Sequence, residues 1–71
     1  MRFDNLEAEF TRMGMNVERV AHELGFGCAT LYNRLSGSTN WTLNDMLKVQ
    51  RLVNEKTAQS LTLDYLFHVE Q

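Results

Sequence analysis

The sequence predicts an all-α fold, with five short helices around a single core. In several segments apolar residues recur at intervals of three and four, the spacing of one helix face. The 71 residues include no proline and only four glycines, and 44% of them are hydrophobic. This composition is typical of a helical bundle and excludes a β-sandwich or a disordered tail. A chain of this length suffices for one core, so we expect a single domain spanning residues 1–71.

The first helix is expected at about residues 3–13. Four apolar residues fall at helical spacing along this segment: Phe3, Leu6, Phe10 and Met13. Asp4 and Glu7 place negative charge near the start, where the helix dipole favours it. Gly14 follows the last apolar position and is a natural end of the helix.

The second helix is expected at about residues 17–24. Its apolar stripe consists of Val17, Val20, Ala21 and Leu24. Asn16 stands immediately before it and can accept a hydrogen bond from a free backbone N–H group of the first turn. Gly25 can end the helix in the left-handed conformation without steric cost. Phe26 can then fold back over Ala21, a contact that often accompanies such a cap.

The third helix is expected at about residues 28–36, with Leu31 and Leu35 facing inward and Gly37 ending it. Ala21 is small, as required where two helices cross steeply over a short turn. The segment from Val17 to Gly37 therefore predicts a helix-turn-helix. This motif can lay its second helix in the major groove of DNA.

The fourth helix is expected at about residues 43–57. Thr42 can cap it while Asp45 reaches back in a capping box, and Trp41 and Met46 can form a hydrophobic staple. We expect a broad apolar face made of Leu43, Met46, Leu47, Val49, Leu52 and Val53.

A last short helix is expected at about residues 63–68, with Thr62 as its cap. Its apolar positions are Leu63, Leu66 and Phe67. Between the predicted helices, residues 37–40 form the one obvious polar loop.

Several of these residues carry a resemblance to a known family. Ala21, Gly25 four residues later, Phe26 and Leu31 match the helix-turn-helix pattern of the phage lambda repressor and Cro superfamily. The run NRLSG, the polar loop and WTLNDMLKVQRL resemble the continuation in small phage-type regulators, and LTLDYLF resembles their last helix. The resemblance extends from about Phe3 to Phe67. It implies a compact five-helix, lambda-repressor-like DNA-binding domain with the helix-turn-helix at the second and third helices.

Geometry and this resemblance together suggest the DNA-contacting residues. In the motif the first helix crosses the DNA backbone, and the second presents its N-terminal and outer side chains to base edges. The candidates for base contact are Cys28, Ala29, Thr30, Tyr32 and Asn33. Of these, Asn33 suits a bidentate contact to adenine, and Ala29 or Thr30 suits a thymine methyl group. The candidates for backbone contact are Asn16, Arg19, Arg34, Ser36, Ser38, Thr39 and Asn40.

The charge of the chain argues for binding in pairs. Seven Lys and Arg stand against nine Asp and Glu, a formal net charge of −2. Within residues 16–44, Arg19 and Arg34 are balanced by Glu18 and Glu23. Phosphate neutralisation supplies most non-specific affinity, so a single copy is expected to bind double-stranded DNA weakly. We therefore expect a homodimer on a palindromic operator, with recognition helices about 34 Å apart. The apolar residues of 61–69 are the candidates for this pairing.

The remaining chemistry of the sequence is sparse. Cys28 is the sole cysteine, which precludes an internal disulfide, and a lone cysteine usually behaves as a small hydrophobic residue. His22 and His68 lack neighbours spaced as metal ligands, so no metal site or cofactor is expected. No catalytic arrangement or phosphate-binding loop is present, and we do not expect an enzyme. No membrane span or signal peptide is evident, which makes a cytoplasmic location the default expectation.

Two classes of function remain. The first is a sequence-specific DNA-binding transcriptional regulator, similar to repressor or Cro, which the polar outer side of residues 28–36 favours. The second is a protein-interaction module of the same fold, such as an antirepressor or adaptor with a protein partner. The balanced charge and the lack of an arginine-rich N-terminal arm favour this alternative.

Overall fold

The computed structural model describes residues 3–69, and this range contains five α-helices and no β-strand. The helices are α1 (Asp4–Arg12), α2 (Val17–Leu24), α3 (Cys28–Ser36), α4 (Leu43–Thr57) and α5 (Leu63–Leu66). The predicted all-α fold class is confirmed. The bounds of α2, α3 and α4 match those expected from the sequence, whereas α1 is one residue shorter at each end and α5 ends two residues early.

Three helices begin at side-chain caps that the sequence predicted. Asn16 Oδ1 accepts the backbone N–H three residues later, at 2.8 Å. The hydroxyl oxygens of Thr42 and Thr62 each accept the corresponding N–H at 3.2 Å. Each cap satisfies one of the amide groups that a helix start leaves without a partner. The carboxylate of Asp45, expected to complete a capping box at Thr42, accepts a hydrogen bond from Arg34 on α3.

A three-residue turn joins α2 to α3. Gly25 has φ +76°, and the Phe26 N–H donates to the Ala21 carbonyl at 2.8 Å, which closes the end of α2. This backbone conformation is left-handed and strains residues that carry a Cβ atom. Ala21 is 2% exposed, so the small side chain lies inside the domain where α2 packs against α3.

One buried apolar cluster holds the helices together. The described residues that are less than a tenth exposed and apolar come from all five helices and from the residue preceding α1: Phe3, Leu6, Phe10, Val20, Ala21, Leu31, Leu35, Val49, Val53 and Leu66. The Trp41 ring covers one end of this cluster, with its centroid 4.9 Å from that of Phe67 and 6.2 Å from that of Phe3. Both ring pairs are edge-to-face, a geometry that favours aromatic contacts.

The apolar face of α4 is narrower than the sequence predicted. Val49 and Val53 are fully buried, but Leu43 is 62% exposed and Leu47 is 42% exposed. At about 100° per residue, the two leucines are rotated about 120° around the helix from the two valines. The prediction that Leu43 and Leu47 belong to one apolar face with the two valines is therefore wrong, because α4 turns only one side toward α1, α2 and α5.

The C-terminal apolar residues are used inside the domain. Leu66 is fully buried, and Leu61, Phe67 and Val69 pack against the core cluster. Asn54 on α4 binds both backbone groups of Leu61: its Oδ1 accepts the N–H at 2.9 Å and its Nδ2 donates to the carbonyl at 3.2 Å. The expectation that these residues are free to form a dimer interface does not fit this packing.

Glu9 is a buried carboxylate that the sequence did not predict. It is 1% exposed, and its Oε2 accepts a hydrogen bond from the Tyr65 hydroxyl at 3.0 Å. Gln59 Nε2 donates to its Oε1 at 3.5 Å, and Arg12 Nε lies 3.5 Å from the same oxygen. The hydrogen bond to Glu9, aided by burial, raises the pKa of Tyr65 above its ordinary value of 10.0. This contact ties α1 to α5.

Candidate nucleic-acid interface

The outer side of α3 is exposed and carries polar groups. Leu31 and Leu35 are fully buried and set the rotation of the helix. Ala29, Thr30 and Asn33 are exposed on the opposite side. Since Leu31 and Leu35 hold α3 in place, these side chains project from a rigid support.

Tyr32 lies at the edge of this surface. Its side chain is 44% exposed, and it lines a cavity of about 230 Å³ together with Asn16 and Val17 from the start of α2. The cavity shows that the N-terminal end of α2 and the middle of α3 are neighbours. The side-chain oxygen of Asn16 (Oδ1) accepts the hydrogen bond that caps α2. The side-chain NH₂ group of Asn16 is therefore the part that can donate a hydrogen bond outward.

The loop after α3 continues the polar surface. Ser36, Ser38, Thr39 and Asn40 are all exposed. The Asn33 carbonyl accepts from the Ser36 hydroxyl at 3.1 Å and from the Ser38 N–H at 2.9 Å. The loop is therefore anchored on α3 through backbone atoms. Among the hydrogen bonds of residues 3–69, none uses the side-chain amide of Asn33, which leaves it able to bind a ligand.

Arg34 does not lie on the open surface. Its guanidinium donates to the Asp45 carboxylate, and the two side chains are 18% and 15% exposed. The guanidinium carbon also lies 5.1 Å from the centroid of the Phe26 ring and 5.9 Å from that of Trp41, within cation–π range. The proposed phosphate contact by Arg34 therefore competes with an internal ion pair that joins α3 to α4.

The same ion pair controls the titration of Asp45. Burial by itself raises the pKa of this carboxyl. The hydrogen bonds from Arg34 and Thr42 and the charges of Arg34 and Lys48 outweigh burial, so the net pKa lies below the ordinary value of 3.8. Asp45 is thus held in its charged form, and its negative charge balances the positive charge of Arg34.

The other cation of the predicted surface is also paired, but it is open to solvent. Arg19 is 63% exposed, and its Nη2 lies 3.3 Å from Glu23 Oε1. Such exposed pairs are worth little and exchange readily. Arg19 can therefore leave Glu23 for a phosphate at small cost.

The sequence missed a group of cations on α4. Within the described part of the chain, no carboxylate lies at ion-pair distance from Lys48, Arg51 or Lys56. Lys48 and Arg51 line one groove with Thr42, and a second with Leu24 and the C-terminal part of α2. Their spacing on the polar side of α4 was visible in the sequence. That Asp45, three residues before Lys48, would bind Arg34 was not visible, because Arg34 lies on another element.

Of the predicted site residues, all but Cys28 and Arg34 are exposed, and those two are partly buried. Cys28 has a free thiol. His22 and His68 are exposed. Residues 3–69 contain no group of three or more His, Cys, Asp or Glu side chains placed to hold a metal ion. Nor does this range contain a helix with the length and apolar character needed to cross a membrane.

Comparison of the chain with models of known protein families, with curated proteins and with solved structures finds no match.

Proposed function

We propose that this protein is a sequence-specific DNA-binding transcriptional regulator of the repressor or Cro type. In this proposal, α2 and α3 are the two helices of a lambda-repressor-like helix-turn-helix, and α3 enters the major groove. The observation that carries the proposal is the outer side of α3. It is exposed and rich in hydrogen-bonding groups, directly after a left-handed glycine turn, and it rests on two fully buried leucines.

The side chains of α3 would read the bases. The amide of Asn33 suits a bidentate contact to adenine, while Ala29 and Thr30 suit contact with a thymine methyl group. Tyr32 lies at the edge and suits a phosphate or a sugar. Cys28 is partly buried at the first position of α3 and would add at most a packing contact.

The groups around α3 would position it. At the start of α2, the NH₂ group of Asn16 and the guanidinium of Arg19 are able to donate to phosphates. On the far side, Ser36 and the exposed loop of Ser38, Thr39 and Asn40 supply hydroxyl and amide groups to the backbone. Arg34 would act indirectly, by holding α3 against α4.

Selection of bound sequences from a random pool of DNA duplexes at low salt tests the proposal. We expect recovery of a palindrome with half-sites about one DNA turn apart. Recovery of no preferred sequence would contradict sequence-specific binding. It would favour the alternative, a protein-interaction module of the same fold, which the net charge of −2 and the pairing of Arg19 and Arg34 with acids also support.

Two variants distinguish a residue that contacts a base from one that contacts the DNA backbone. Asn33→Ala should relax preference at a single base position at a cost of about 1–3 kcal/mol, since one bidentate contact is lost. Arg19→Gln, the matched control at a backbone position, should weaken binding to all sequences and flatten the dependence of affinity on salt. Both are measured by titrating labelled duplexes with single base changes. Equal losses on every duplex for both variants would show that Asn33 does not read a base.

A further inference from the structure

We propose that a stripe of side chains on α4, made of Asn44, Lys48 and Arg51, binds the phosphates of one DNA strand. This strand lies across the major groove from the strand that Asn16 and Arg19 contact. The inference rests on the proposed function in one step, namely that α3 occupies the major groove. It adds to that function a second site for the DNA backbone, on a helix outside the helix-turn-helix.

The three residues of the stripe form one continuous surface. Their positions are four and three residues apart, so they lie on one side of the helix. All three are exposed, and they line a groove of about 460 Å³. The other lining residues of this groove are Thr42, Asp45 and Leu47. Each residue of the stripe carries N–H donors, the groups that bind phosphate oxygens.

The stripe has no internal partner to give up. Within residues 3–69, no carboxylate lies at ion-pair distance from Lys48 or Arg51, and no side-chain hydrogen bond involves Asn44. Asp45, the carboxylate that lines the groove, accepts a hydrogen bond from Arg34 on α3. Its charge is therefore balanced from inside the domain, and a phosphate in the groove meets the positive charges of Lys48 and Arg51.

The two flanks of α3 are marked by Tyr32 and Arg34. At about 100° per residue, each lies about 80° around the helix from the inner side set by Leu31 and Leu35, in opposite directions. Tyr32 lines a cavity with Asn16. The start of α2 therefore lies beside the Tyr32 flank.

The stripe on α4 lies beside the other flank. Arg34 binds Asp45, which is in the first turn of α4. Lys48 follows about one turn later, and its Nζ lies 5.9 Å from the centroid of the Phe26 ring. The guanidinium carbon of Arg34 lies 5.1 Å from the centroid of the same ring. Lys48 and Arg34 are therefore on the same side of α3.

The dimensions of the major groove assign one strand to each flank. The groove is about 12 Å wide and has a phosphate backbone along each side. An α-helix with its side chains is about 10–12 Å across, so α3 fills the width. The start of α2 then faces one strand and α4 faces the other. Asn44 comes four residues after Asn40, so the stripe extends the backbone contacts proposed for the exposed loop.

The salt dependence of DNA binding tests the proposal. Lys48→Gln should weaken binding to every duplex by about tenfold at low salt and lower the slope of log affinity against log salt by about one. Lys56→Gln is the matched control, because Lys56 is also exposed but lies about 12 Å further along α4, in the groove lined by Glu23 and Glu55. It should change the slope much less. Equal slopes for the two variants overturn the proposal, provided that both melt within a few degrees of the wild type.

Neutral methylphosphonates, placed one at a time along each strand of the selected duplex, give an independent readout. One position should weaken binding by the wild type but not by Lys48→Gln, because that variant has already lost the contact. This position should lie on the opposite strand from the one whose effect disappears in Arg19→Gln. The same strand for both variants, or no such position for Lys48→Gln, overturns the proposal.

The α4 contact and the proposed function fail separately. A wild type that binds duplexes without a preferred sequence, and whose slope falls in Lys48→Gln, refutes the regulator and supports the α4 contact. A wild type that selects an operator, and whose slope is unchanged in Lys48→Gln, refutes the α4 contact alone. A wild type that binds no duplex even at low salt refutes both.

Discussion

At the scale of single residues, Arg34 has the most constrained environment of the predicted site. It binds Asp45, lies over two aromatic rings and keeps only 18% of its side chain exposed. A cation in this position costs desolvation, and the charge-assisted hydrogen bond to Asp45 offsets that cost. Arg34 therefore contributes to the orientation of α3 before any ligand is bound.

Arg34→Ala should lower the free energy of unfolding by about 2 kcal/mol at neutral pH, since it leaves Asp45 without its strongest partner. Arg19→Ala removes an exposed pair and should cost about 0.5 kcal/mol or less. Urea unfolding measures both. Equal costs would show that burial of the Arg34 pair has no effect on stability.

The cost of Arg34→Ala should also depend on pH. The pKa of Asp45 is lowered in the folded protein, so this pair stabilises the fold above the ordinary pKa of 3.8 and loses its effect as pH falls through the lower folded value. The difference in unfolding free energy between wild type and variant should therefore shrink below pH 3.8. A difference that stays constant into this acidic range would assign the stabilisation to packing on the rings.

At the scale of elements, the helix ends differ in how they are closed. Gly25 and Gly37 end α2 and α3 in the left-handed conformation, which glycine adopts without strain. Ala58 ends α4 with φ +54°, the one non-glycine residue of the described range with a positive φ. The loop that follows maintains this strained conformation of Ala58, because the Asn54 side chain on α4 binds both the N–H and the carbonyl of Leu61.

Ala58→Gly should therefore raise the free energy of unfolding by about 0.5–1 kcal/mol, the left-handed strain relieved less the entropy that glycine adds to the unfolded chain. Gly25→Ala is the reverse change: its new Cβ would meet no atom within 4 Å, so the loss of about 1 kcal/mol is conformational. Thermal unfolding measures both. A destabilising Ala58→Gly would show that α4 ends without strain.

At the scale of the whole molecule, the distribution of charge decides how the domain meets a polyanion. The described arginines on α1, α2 and α3 each have a carboxylate partner, whereas the cations without one lie on α4. The net charge is −2, so long-range attraction to DNA is weak. In the proposed complex, short-range contacts and pairing of copies must then supply the affinity.

Glu18→Gln should increase affinity for all DNA sequences, up to about fivefold at low salt, because it removes an exposed negative charge from the first turn of α2, beside the phosphates in the proposed complex. Glu55→Gln makes the same change in charge on α4, away from α3, and should have a smaller effect. Affinity is measured by fluorescence anisotropy at two salt concentrations. Equal gains for the two variants would mean that only net charge matters and that α2 does not face the DNA.

Local signals in the sequence were enough to predict the helices. Caps at Asn16, Thr42 and Thr62 and left-handed glycines at the helix ends act within four residues, so local chemistry was enough to place the bounds of α2, α3 and α4. The exposure of the outer side of α3 followed equally well, since Leu31 and Leu35 fixed its inner side. These features depend on neighbours in the chain.

Which side chains have partners on other elements became clear only from the packing of the helices. Leu43 and Leu47 have the residue type of a core position, yet the packing of α4 leaves them in solvent. Glu9, three residues after Leu6, lies on the buried side of α1. It accepts a hydrogen bond from the hydroxyl of Tyr65, which is 56 residues later in the chain. Arg34 turns to Asp45 and away from the open face. Burial and charge pairing depend on what lies across an interface, and local periodicity carries no record of that partner.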